Sequence, residues 1–299
     1  MYPLTRSTVV ALAVTLAVML AGMLAVPFMP SPVSALQEPP LQQSTSTALS
    51  GEQVFTLKSY GNVRIEGSLY FPEQAAASSA AGVVSDTNTA NANQTVQKYP
   101  AILLLHMWNS NRQEWDPLIP KLLEAGFAVC SIDFRGHGKS SGKQNKYYPH
   151  DTADKMIYDA IEAHKFMLSN ASIDPSNISL GGASIGTTVA VQLCKYLNNG
   201  RRPAPVRSLV LISPAAYYFA IPIDDDIRKC GKTALYFILE KQDPTPKKNR
   251  VFRSGQALYE SFKGEKKITI YDGVGHGIKM LAQPELPGEI VEWFSSHAR

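Results

Sequence analysis

The sequence is poor in cysteine and in charge. Its three cysteines, Cys130, Cys194 and Cys230, are an odd number, so at least one thiol stays outside any intramolecular disulfide. Neither a C-x-x-C nor an H-x-x-x-H spacing occurs, which excludes the common zinc frameworks. Charged residues make up 18% of the chain and the formal net charge is +4, with no basic block, so a nucleic-acid-binding surface is not indicated. Cys130 falls in an apolar run and Cys194 in a helical stretch, where cysteine behaves as a small apolar residue. The acidic run Asp224-Asp225-Asp226 reads as a solvated loop rather than a cation site.

What the sequence does have is a core-forming composition, 44% hydrophobic, over 299 residues. The N-terminus stands apart. Val9 to Val26 is an apolar stretch of about 18 residues, at the lower edge of what spans a bilayer. It follows Arg6, ends at Pro27, Pro30 and Pro32, and leads to the small-residue pattern Val33-Ser34-Ala35. Residues 1–35 are therefore read as a signal peptide or a membrane anchor, and either places the rest outside the cytoplasm, secreted, periplasmic or membrane-associated. Residues 36–50 are a polar linker, 51–299 one domain, and 74–97 a disordered insertion rich in Ala, Ser, Asn and Thr.

Val54–Leu57 and Val63–Phe71 alternate around Tyr60-Gly61-Asn62, the pattern of an antiparallel hairpin. From Tyr99 onward, apolar runs alternate with helical periodicity. Strands are expected at Ala101–Leu105, Phe127–Phe134, Ile178–Leu180, Ser208–Ile212, Thr233–Leu239 and Lys267–Tyr271. Helices are expected at Trp115–Glu124, Thr152–Leu168, Ile185–Leu197, Val251–Phe262 and Glu285–Ser296, the second burying Ile157, Ile161, His164 and Leu168. This is an α/β chain with a mostly parallel sheet of about eight strands and helices on both faces. Pro214–Lys232 has 19 residues, too few for a separate cap domain, and Tyr217, Tyr218 and Phe219 within it are candidates for the rim of a site.

Sites in such sheets gather at the carboxyl ends of strands. Those ends carry His106-Met107-Trp108-Asn109, Arg135-Gly136-His137-Gly138, Gly182-Ala183-Ser184-Ile185-Gly186, Glu240-Lys241-Gln242-Asp243-Pro244 and Gly273-Val274-Gly275-His276-Gly277. Ser184, Asp243 and His276 supply a nucleophile, an orienting acid and a base, the three groups a weakly acidic serine hydroxyl needs for acyl transfer. On a strand-to-helix turn, Gly182 and Gly186 are the positions where side chains would collide with neighbouring elements, and the N–H of Ile185 opens the helix toward the site.

These motifs, in the order Ser184, Asp243, His276, resemble the α/β-hydrolase family from about Val54 to the C-terminus, and within it the small esterases and dienelactone-hydrolase-like enzymes. Dienelactone hydrolases use a cysteine nucleophile where this chain has Ser184. The resemblance implies an α/β-hydrolase fold without a large cap, and a carboxylic ester hydrolase acting on a small ester or acyl substrate with no metal or cofactor. Family position places the second oxyanion donor at the N–H of Trp108. Two departures stand out: Met107 where the family often has glycine, and Glu240, a second carboxylate and an alternative to Asp243. His106 is expected to bond loop backbone, and Asp133 to pair with Arg135 or cap backbone. Trp108 is either core or pocket wall. A peptidase, thioesterase or acyltransferase with the same triad remains an alternative, as does a non-catalytic binding protein. A serine nucleophile excludes the dehalogenase and epoxide hydrolase chemistries, which need a carboxylate there.

Overall fold

The computed structural model describes residues 51–73, 96–199, 205–245, 250–273 and 275–298. The expected leader or anchor (1–35), the linker (36–50) and all but Val96 and Gln97 of the expected insertion lie outside them. Among the described residues, no helix is long and apolar enough to cross a membrane.

The described chain forms an eight-stranded sheet. β1 (Gln53–Ser59) and β2 (Val63–Tyr70) make the expected hairpin; then come β3 (Tyr99–Leu105), β4 (Ala128–Ile132), β5 (Ile173–Ala183) and β6 (Ser208–Ile212). β7 (Tyr217–Tyr218) and β8 (Ile221–Pro222) form a separate two-stranded hairpin, and β9 (Ala234–Glu240) and β10 (Lys266–Tyr271) complete the main sheet. Its order is β1-β2-β4-β3-β5-β6-β9-β10, parallel from β4 to β10, with β2 antiparallel to both neighbours. The chain goes one way from β3 to β4 and returns to β5 on the other side, so β3 and β5 flank the point where the winding reverses. Loops at that point splay apart and leave a crevice.

Both faces of the sheet are covered, which is why the central strands read as unbroken apolar runs. Along β3, Leu103 and Leu105 pack on one face, against α3 (Met156–Ser169) and α4 (Ile185–Leu197). Ile102 and Leu104 pack on the other, against α1 (Ile119–Glu124) and the C-terminal helix α7 (Leu286–His297). The remaining helices are α2 (Pro149–Ala153), α5 (Asp224–Arg228) and α6 (Arg250–Ser261).

Four expectations need correction. The helix expected over Trp115–Glu124 is a 3-10 turn, Arg112–Trp115, followed by the short α1. Pro117 and Pro120 lack the N–H a continuous helix needs and crowd the residue before them. The helix expected over Thr152–Leu168 is the pair α2 and α3. Of its expected face only His164 is buried; Met156, Asp159, Ala160, Ala163 and Met167 join it, because Asp159 turns inward to Arg135 and Ser59. β5 extends from Ile173 to Ala183, well beyond Ile178–Leu180. Asp224 to Asp226 form the first turn of α5 rather than a loop, a favourable place for acidic side chains, and Asp226 pairs with Lys195 at 2.6 Å.

A buried ionic cluster anchors the loops after β3 and β4. Arg112 bonds Asp133 at 2.5 Å, Glu66 at 2.9 Å and the hydroxyl of Ser68 at 2.8 Å. Asp133 also accepts the backbone N–H groups of Arg112 and Lys139, so it caps backbone, while Arg135 pairs with Asp159 at 2.7 Å. Removing one partner leaves the other charge buried and uncompensated. Arg112→Ala is expected to cost about 3–5 kcal/mol in urea unfolding; a loss below about 1 kcal/mol would reduce the cluster to the rank of a surface ion pair.

Candidate active site

The site starts with a collision avoided. A Cβ on Gly182 would strike the backbone of Gly186 and Thr187, and a Cβ on Gly186 would strike the carbonyl groups of Leu105 and His106. With hydrogen there instead, the first turn of α4 closes onto the end of β5 and against the end of β3. Ser184 is forced into φ +51°, a region that side chains rarely adopt. Its N–H donates to the carbonyl of Ile212 at 2.9 Å, and its own carbonyl accepts from the N–H and the hydroxyl of Thr187 at 2.9 and 2.6 Å. The elbow is thus tied on both sides. Ile185, the first residue of α4, carries one of the N–H groups that a helix start leaves without an intrahelical partner.

Ser184, Asp243 and His276 come together from three strand ends. His276 Nε2 lies 2.7 Å from Ser184 Oγ, and His276 Nδ1 lies 2.7 Å from Asp243 Oδ2. A carboxylate only accepts, so Nδ1 carries the proton and Nε2 is free to accept from the serine hydroxyl. The other oxygen of Asp243 accepts from the N–H and hydroxyl of Thr245 at 3.0 and 2.6 Å. Burial alone would raise this carboxyl, but the hydrogen bonds from His276 and Thr245 outweigh it and hold the pKa below its ordinary value. Asp243 therefore stays ionised at neutral pH. Glu240 is buried and turned toward the N–H of Gly273, burial raises its pKa, and it does not reach His276.

The loop after β3 forms the opposite wall. His106 is fully buried and accepts the Phe134 N–H at Nε2, 3.0 Å, so its Nδ1 donates to the Met107 carbonyl, 2.6 Å. Burial, with the nearby His137, pushes its pKa down to about 3. It is a neutral brace inside the loop. Met107, where the family often has glycine, finds room because Gly277 on the histidine loop has no side chain: a Cβ there would meet the Met107 sulfur. The Trp108 ring packs on Phe219 at 4.6 Å and on His137 at 4.8 Å, and Tyr218 stands 6.4 Å from the His276 ring. Met107, Trp108, Ser184, Pro244, Thr245, His276 and Lys279 line a cleft of about 280 Å³. Trp108 is thereby a pocket wall.

Sequence reasoning missed Ser213, at φ +53°. Its carbonyl accepts the Tyr218 hydroxyl at 2.6 Å and its hydroxyl accepts the Gly277 N–H at 2.9 Å, so it joins the aromatic hairpin to the histidine loop. Its only sequence signal was its place directly after β6.

The comparisons agree with this architecture. A profile described as alpha/beta hydrolase fold matches residues 100–231. Human protein ABHD12B is 29% identical over 135 residues, 45% of this chain and 34% of that one. The pimeloyl-[acyl-carrier protein] methyl ester esterase of Pseudoalteromonas atlantica is 30% identical over 126 residues, 42% of each chain. The chain thus spans less than half the length of the curated relatives it matches. Among solved structures, a cold-adapted esterase from an Arctic intertidal metagenomic library superposes with a TM-score of 0.61 at 14% identity, covering 83% of this chain and 94% of that one. A dienelactone hydrolase from Anabaena variabilis superposes with a TM-score of 0.58 at 16% identity, covering 83% and 99%. The chain therefore has the α/β-hydrolase fold, and the resemblance drawn from its strand-end motifs holds.

Because His106 is held neutral in the fold at about 3 but titrates near ~6.5 when unfolded, the unfolded chain binds the extra proton between those values. Stability should rise with pH across that window, and His106→Gln, which keeps an acceptor for Phe134 without titrating, should flatten the slope measured by urea unfolding at pH 4 to 7. An unchanged slope would contradict the buried neutral histidine.

Proposed function

We propose that the protein is a serine hydrolase that cleaves carboxylic esters through an acyl-enzyme intermediate. The observation that carries this reading is the unbroken chain from Asp243 through His276 to Ser184, both links 2.7 Å, ending on a strained serine at a helix start. Ser184 Oγ attacks the ester carbonyl as His276 Nε2 takes its proton. Asp243 holds the imidazole in the right tautomer and stabilises its charged form. The negative oxygen that develops is held by the N–H groups of Ile185 and Trp108. His276 then gives its proton to the departing alcohol, and a water activated by the same nitrogen releases the acid. None of these steps calls on a metal or organic cofactor.

The names of the relatives support ester chemistry, since an ester hydrolase appears among both the sequence matches and the structural ones. A cleft of about 280 Å³ favours a small acyl or alcohol group. The apolar segment Val9–Val26 supports an extracytoplasmic location, with residues 1–35 as leader or anchor, 36–50 as linker and 51–299 as the hydrolase domain. Cell fractionation checks that location, and p-nitrophenyl esters set against aminoacyl amides and thioesters separate an esterase from the other acyl-transfer enzymes.

A fluorophosphonate probe should label the wild-type protein and leave Ser184→Ala unlabelled, and the variant should lose roughly 10⁴- to 10⁶-fold in kcat on p-nitrophenyl acetate. Equal labelling of the two proteins would sink the mechanism.

A further inference from the structure

His276 rides on a short loop, and that loop is held on both sides. After it, the Gly277 N–H donates to the Ser213 hydroxyl at 2.9 Å. Before it, the Gly273 N–H donates to Oε1 of Glu240, the last residue of β9. The two residues after Glu240 reach the same loop. The Lys241 N–H donates to the Tyr271 carbonyl at 3.0 Å, Lys241 Nζ pairs with Asp272 at 3.0 Å, and Gln242 Nε2 donates to Asp272 at 3.5 Å. The Lys241 and Asp272 side chains are 50% and 65% exposed, so water screens that pair and it holds little. Glu240 is only 1% exposed, and its bond faces no such competition. The shape of the loop matches it. A Cβ on Gly273 would stand 3.1 Å from Glu240 Oε1, and one on Gly275 would stand 3.1 Å from Oε2 and 3.2 Å from Met280 Cγ. The carboxyl fills the space that two missing side chains leave. Oε2 has no hydrogen-bond partner among the described residues. An apolar side chain of the same length would fill that space without stranding an oxygen. What it would not supply is an acceptor for the Gly273 N–H.

We infer that Glu240 is a positioning residue for His276: its carboxyl oxygen anchors the loop before the histidine, as Ser213 anchors the loop after it. The inference rests on the role proposed for His276 above. That role needs both ring nitrogens in line, Nδ1 on Asp243 and Nε2 on Ser184, each at 2.7 Å. Asp243 lies three positions after Glu240 (243 minus 240), and His276 three after Gly273 (276 minus 273). The two loops are therefore joined by two side-chain rungs at equal spacing. The Glu240–Gly273 rung lies at the sheet end, and the Asp243–His276 rung lies at the cleft. Without the first, the second must keep the two loops in register alone. A misplacement of about 1 Å at a reacting group costs on the order of 10²-fold in rate. Glu240 touches neither the serine nor the cleft, so it acts only through the loop. The task requires an acceptor oxygen and not a charge.

The test uses the full chain and two variants of similar side-chain volume. Glu240→Gln keeps an oxygen for the Gly273 N–H and removes the ionisable group. Glu240→Met fills the same space without a comparable acceptor. It also removes the unpartnered oxygen, so its Tm should stay within about 5 °C of the wild type. The first readout needs no substrate: the Nδ1 proton of His276 in its bond to Asp243, observed far downfield in the proton NMR spectrum and assigned by its loss in His276→Gln. This signal is expected in the wild type and in Glu240→Gln, and is expected to broaden or vanish in Glu240→Met. The second readout is turnover of p-nitrophenyl acetate. Glu240→Gln should keep kcat within about threefold of the wild type, and Glu240→Met should lose roughly 10- to 100-fold in kcat with KM within about twofold. An unchanged signal and kcat in Glu240→Met would overturn the inference, as would a loss in Glu240→Gln equal to that in Glu240→Met. A Glu240→Met protein that fails to fold would overturn it too, since the carboxyl would then serve the fold and not the histidine. No signal in the wild type would remove the His276–Asp243 bond on which the inference stands. A wild type that shows the signal but turns over no ester would count against the hydrolase reading, and the NMR comparison would still decide whether Glu240 positions His276.

Discussion

The contact on which the site depends is the one between the backbone at Gly186 and the carbonyl groups at the end of β3. Any side chain at Gly186 would push α4 away from that strand. The helix would then fail to close over β5, Ser184 would relax out of φ +51°, and the Ile185 N–H would lose its position beside the loop of Trp108. A single missing methyl group thus sets the backbone at Ser184 and the place of the Ile185 N–H beside the loop after β3. The strain at Ser184 persists because the bonds to Ile212 and Thr187 over-determine it.

The other site loops are held by polar groups rather than by apolar packing. His106 braces the loop after β3, the Arg112–Asp133–Glu66 cluster fixes the turn after it and the loop after β4, and Ser213 couples the aromatic hairpin to the histidine loop. Such networks cost stability if any member is removed, because the partners stay buried. In exchange they hold backbone in irregular conformations where a sheet or helix cannot. Met107 and Gly277 show the same economy in van der Waals form: the space taken by one side chain is supplied by the absence of another across the crevice.

Much of this was legible in the sequence. β3, β4, β6 and β9 announced themselves as unbroken apolar runs because both sheet faces are covered, and the polar motifs at their ends therefore fell on one edge. Ser184, Asp243 and His276 followed from that placement. What stayed hidden depends on long-range pairing. Arg112 bonds residues 46 and 21 positions away, and no local pattern marks it. Asp159 faces inward for Arg135, so the apolar reading of α3 chose the bulky Ile157 and Ile161 over Ala160 and Ala163, which suit close packing on the sheet. The break before α1 was written in Pro117 and Pro120 and was overridden by the apolar periodicity around them. Whether Trp108 was core or wall turned on Phe219, more than a hundred residues downstream, which is a question of tertiary contact alone.

In the proposed reading, the Asp243–His276–Ser184 chain makes Ser184 a nucleophile that becomes acylated. Mixing the protein with p-nitrophenyl acetate, quenching in acid within the first turnover and mapping peptides by mass spectrometry tests it directly. The expected result is an acetyl group on the peptide bearing Ser184, together with a burst of p-nitrophenol equal to the enzyme concentration when deacylation is the slower step. Turnover of the ester with the acetyl group on another residue would contradict it.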